Sequence, residues 1–93
     1  MSDSIPVPAE ALRQVASSAA EEVSAARERG HKSTALMTER KLSEAYRALD
    51  GKDGEYVSVS ASAVSRLTAA ADYREVGDYS NCCRHYLEQY NYW

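Results

Sequence analysis

At 93 residues, with 27% of them charged and a formal net charge of −3, the chain is long enough for one domain and one modest core. The acidic balance argues against indiscriminate binding to nucleic acid or to an anionic membrane. No apolar run approaches the roughly 20 residues of a membrane helix, and no signal peptide opens the chain, so the compartment expected is the cytoplasm.

Residues Met1 to Val7 read as a short polar leader running into Pro6-Val7-Pro8. Pro8 suits the first position of a helix, where its missing N–H has no partner to lose. From there Leu12, Val15, Ala16, Ala19, Val23 and Ala26 recur at helical spacing, and Gly30 is a natural stop. The spacing predicts a helix over about 8–29. Ser33 or Thr34 can cap a second helix over about 34–49, marked by Leu42, Ala45, Tyr46 and Leu49. Two helices joined by so short a turn should lie antiparallel.

Asp50-Gly51-Lys52-Asp53-Gly54 is the strongest breaker in the chain. After it Val57, Val59 and Ala61 alternate with serines at strand period, which predicts a short extended piece near 55–59. No second strand presents itself as its partner, so no sheet is expected. Ser60 or Ser62 can cap a third helix over about 60–76, ended by Gly77. Asp78 can open a fourth over about 78–91, where Tyr79, Cys82, Cys83, Tyr86, Leu87 and Tyr90 form one apolar stripe. The fold class expected is all-α: about four helices in a single domain spanning 1–93, built on an antiparallel helical hairpin.

That core is short of material. There is no Phe, alanine fills most apolar positions, and the aromatic surface comes from seven Tyr and one Trp gathered towards the C-terminus. Alanine favours helix strongly but buries little area. Self-association is a natural remedy, so a homo-oligomer is expected.

Cys82 and Cys83 are neighbours that cannot meet disulfide geometry with each other on a helix, and they read as thiols. With His85 they fall short of the four ligands of a structural zinc site. No catalytic set stands at diagnostic spacing, so neither an enzyme, a metal nor a cofactor is expected. Tyr79, Tyr86, Tyr90, Tyr92 and Trp93 are the candidates for a protein interface, because Tyr and Trp are enriched at interface hot spots; the equal alternative is that the C-terminal aromatics fill the core that missing Phe and Leu leave open.

His31, Lys32, Ser33 and Thr34, with Arg40 further along, are the candidates for an anion site at the start of the second helix. Residues 27–41 hold five basic and two acidic side chains, a locally positive stretch on a negative protein. A DNA-binding helix-turn-helix around Gly77 is a third option, weakened by Glu88 beside Arg84 and His85 and by little other basic support. Nucleic acid and membrane are therefore not expected partners.

The hairpin length resembles that of small secreted proteins with a Trp-x-Gly turn, but the turn here reads Arg29-Gly30-His31 and the only Trp is terminal. The overall profile is similar in kind to small accessory proteins of phages and mobile elements that inhibit host systems. Such a likeness of type implies a non-enzymatic inhibitor or adaptor that binds a protein. The alternative expected is an oligomeric protein that sequesters a small anionic ligand such as a nucleotide.

Overall fold

The computed structural model describes residues 4–50, 54–71 and 77–89. In chain order these form β1 (Ser4–Pro8), α1 (Ala9–Glu28), α2 (Lys32–Leu49), β2 (Tyr56–Ser60), α3 (Ala61–Ala71) and α4 (Gly77–Gln89). The fold is mostly helical, with four helices and one two-stranded antiparallel sheet among the described residues.

The sheet corrects two expectations. The leader is not a loose polar segment from residue 4 onward, and the extended piece after the breaker does have a partner. β1 pairs with β2 in the register Ile5 to Val59 and Val7 to Val57. All four of these side chains point inward and are buried, while Ser4, Pro6, Tyr56 and Ser58 face out. The two prolines fit because of their parity. The Ala9 amide donates to the Glu55 carbonyl at 2.8 Å. Counting back by two puts Val7 and Ile5 at the bonded positions, and Pro8 and Pro6 at positions whose N–H would point away from the partner strand. β-Branched residues alternating with prolines and serines thus make an edge strand rather than a tail.

α1 is the central element and packs against α2, α3, α4 and β1. Its inward face carries Leu12, Val15, Ala16, Ala19 and Val23. At its end the Gly30 amide donates to the Arg27 carbonyl at 3.0 Å, and the His31 amide to the Ala26 carbonyl at 2.8 Å. This is a Schellman turn, and Gly30 takes the left-handed conformation it requires, with φ of 84°. The turn delivers the chain directly into α2, which begins at Lys32 with His31 as its N-cap. Ser33 and Thr34 therefore lie inside the first turn and do not cap it.

α3 is capped by Ser60, whose Oγ accepts from the Ala63 amide at 3.2 Å. Residues 72–76, into which the third helix was expected to run, and Tyr90 and Asn91 of the fourth lie outside the described residues. The core is one cluster, nearly half alanine, to which the strands contribute Ile5, Val7, Val57 and Val59. No helix of the described residues is long and apolar enough to cross a membrane.

Candidate functional site

The fourth helix does not present its apolar stripe as a single face. Cys83 and Leu87 turn inward with Ser80 and are buried. Tyr79, Cys82 and Tyr86 form a shoulder beside them: Tyr79 is 38% exposed and the other two half-buried. Ser80, a polar residue, takes an inner place with no hydrogen-bond partner for its Oγ.

On this shoulder stands a residue that spacing within the last helix could not supply. The Tyr86 hydroxyl donates to the Tyr56 hydroxyl at 3.2 Å, and the rings meet edge to face with centroids 5.9 Å apart. Losing that donated hydrogen bond opposes ionisation, so the Tyr86 phenol lies above its ordinary pKa, with burial adding to the effect. His85 meets Tyr86 edge to face at 5.7 Å. Tyr56, at the start of β2, is 52% exposed. Its outward direction follows from strand parity, because Val57 and Val59 face in. None of the described tyrosines is fully buried, although half-buried Tyr86 packs against the edge of the core. Tyr90, Tyr92 and Trp93 lie outside the described residues.

Burial pushes the Cys83 thiol up to about 12, with the neighbouring Cys82 adding to the effect. A thiol so placed is a poor nucleophile and a poor metal ligand at neutral pH. No three His, Cys, Asp or Glu side chains among the described residues converge as a metal site would require.

The candidates for anion binding are not gathered at one place. His31, Lys32, Ser33 and Thr34 are all exposed at the start of α2. Two of the basic side chains that make this stretch positive are neutralised: Arg27 pairs with Glu39, and Arg29 with Glu22 at 2.7 Å. Arg40 lies about two turns along α2 from that start. There it joins Lys41, and Arg66 from α3, around a separate groove that also holds Ser62 and Ser65. Ser62, Ser65, Arg66 and Ala69 recur at i, i+3, i+4 and i+7. That spacing places the four on one face of α3.

A larger concavity of about 750 Å³ between α1 and α2 carries Arg13, Arg47 and Tyr46, but Asp50 also lines it and opposes an anion. The turn that a helix-turn-helix would need before α4 falls in residues 72–76, outside the described residues. Arg84 there bonds Asn81 at 3.4 Å. No protein-family model, curated protein or solved structure matches the chain.

Proposed function

We propose that this chain, built on an antiparallel hairpin of α1 and α2, is a small non-enzymatic protein-binding module. The leading version is an inhibitor or adaptor of the phage-accessory kind, working in the cytoplasm as a homo-oligomer. One observation carries the reading: among the described residues Tyr46, Tyr56 and Tyr79 are exposed and Tyr86 is half-buried, while the buried cluster is built of aliphatic side chains and Cys83. Tyr56 and Tyr86 hold each other by a ring contact and a hydroxyl bond, and Tyr79 stands exposed seven residues before Tyr86 on the same side of α4. Rings held in place offer large contact area at low entropic cost, which is what an interface hot spot needs. Exposed aromatic area of this kind marks contacts more often than it marks catalysis.

The test is capture from the native host with quantitative mass spectrometry, using wild type and a Tyr56→Ser/Tyr86→Ser variant in parallel. A stoichiometric protein partner that the variant loses, while circular dichroism shows its helices intact, is the expected result. A partner retained equally by both, or no stoichiometric protein at all, overturns the reading.

A further inference from the structure

The groove between α2 and α3 has a volume of about 460 Å³, and among the described residues its charged lining is wholly cationic: Arg40, Lys41 and Arg66. On a chain of net charge −3, three cations around one cavity run against the overall balance. Ser62 and Ser65 add two hydroxyls, and Met37 and Ala69 supply the apolar part of the wall. Lys41 is fixed in place: its Nζ donates to Ser62 Oγ at 3.1 Å and pairs with Glu44 at 3.3 Å. Arg40 and Arg66 have neither an ion pair nor a hydrogen bond to any described residue. Two unpaired guanidinium groups beside a held ammonium repel one another until an anion enters.

We infer that this groove binds a small phosphate ester. Arg40 and Arg66 grip the phosphate, Ser62 and Ser65 donate to its remaining oxygens, and the organic part lies on Met37 and Ala69. A guanidinium matches two phosphate oxygens at once, and hydroxyls complete the shell. The volume falls within the range of about 300–1,000 Å³ usual for small-ligand sites. Met37, 50% exposed, offers a polarisable surface that adapts to a flat ring. The groove does not end abruptly, because Arg66 and Ala69 also border a cavity of about 170 Å³ with Thr34 and Thr38. A nucleic-acid strand fits less well, since Glu39 and Glu44 flank the groove along α2 and a strand needs a longer cationic track. This site is independent of the aromatic shoulder and of the protein-binding reading.

The test is an amide-shift NMR titration at low salt, first with inorganic phosphate and then with adenosine 5′-monophosphate. Saturable shifts confined to residues 37–41 and 62–69 are expected, with the nucleotide binding about tenfold tighter than phosphate alone because of its apolar contact. Arg40→Ala/Arg66→Ala should weaken nucleotide binding by at least about tenfold. Arg40→Ala alone should weaken it in the same direction, with helicity unchanged in both. Glu44→Gln should strengthen binding by removing the competing carboxylate, and Lys32→Glu should alter it by less than about twofold. The inference is overturned by shifts that do not saturate or that centre on residues 32–34, by nucleotide binding no tighter than phosphate, or by a double variant that binds like wild type. An oligonucleotide that displaces the nucleotide with a salt dependence of many charges would also overturn it, in favour of a strand.

Discussion

At the scale of single residues, the last helix departs most from a simple apolar stripe. Its inward positions are Ser80, Cys83 and Leu87, and only the last is a large aliphatic. Cys83 carries a consequence for pH. Its thiol titrates at about 12 in the folded chain against 9.0 for an ordinary thiol, chiefly because burial disfavours the thiolate. Below pH 9 the folded and unfolded states both keep the proton, and the full contribution to stability is present. Between 9 and 12 the unfolded chain gives up the proton while the folded one retains it. Stability therefore falls as pH rises, by up to about 1.4 kcal/mol per pH unit. Urea denaturation of wild type and Cys83→Ala at about pH 8 and about pH 10 isolates the effect, because other alkaline titrations are common to both. Wild type should lose more stability over that interval than the variant. In the folded protein iodoacetamide should label the half-buried Cys82 well ahead of Cys83.

At the scale of elements, the helices were legible because their signal is local. Apolar residues at i, i+3, i+4 and i+7, a glycine at the end of α1 and serines ahead of α3 mark helices without reference to anything distant. The sheet was half legible. β2 has a clear alternation, yet its partner lies some fifty residues earlier, behind two prolines that look like helix punctuation. Only the pairing shows that Pro6 and Pro8 occupy outward positions and that Ile5 and Val7 complete the inner face. α2 starts at Lys32, ahead of the Ser33 or Thr34 cap, because the Schellman turn closes α1 at Gly30 and His31 then serves as N-cap without a side-chain hydrogen bond. The Tyr56–Tyr86 contact spans thirty positions and could not be read from either element alone. If β1 is integral to the fold, Ile5→Ala should cost about 2–5 kcal/mol, as deletions of buried aliphatics do. Ser4→Ala, on the exposed face, should change stability by less than about 0.5 kcal/mol. Chemical denaturation reads both, and an Ile5→Ala midpoint equal to wild type would mean that the strand contributes nothing to the core.

At the scale of the whole molecule, the supply of aliphatic side chains bears on self-association. Composition alone predicts a core too rich in alanine to be ample for a monomer. The strands alter that balance by adding four β-branched side chains, all of them buried. The radius of gyration of 12.3 Å matches the value of about 12 Å expected of a compact monomer this long. The expectation that follows is that the monomer folds by itself and that association uses surface it already displays. Among the described residues such surface includes the shoulder of Tyr56, Tyr79 and Tyr86, and on α2 the pair Leu36 and Met37 and, apart from them, Tyr46, each about half exposed. The shoulder is the stronger anchor, because its two interacting rings restrain each other and less freedom is lost on contact. Sedimentation at micromolar concentration should show a dimer or larger assembly, and dilution should return a monomer whose circular dichroism is unchanged. Tyr56→Ser/Tyr86→Ser should weaken association by more than about 2 kcal/mol, the scale of a hot spot, while monomer stability falls by less. A double variant that still associates like wild type would place the contact on α2, at Leu36 and Met37 or at Tyr46. Wild type that remains monomeric throughout would leave the tyrosine shoulder free for a different protein.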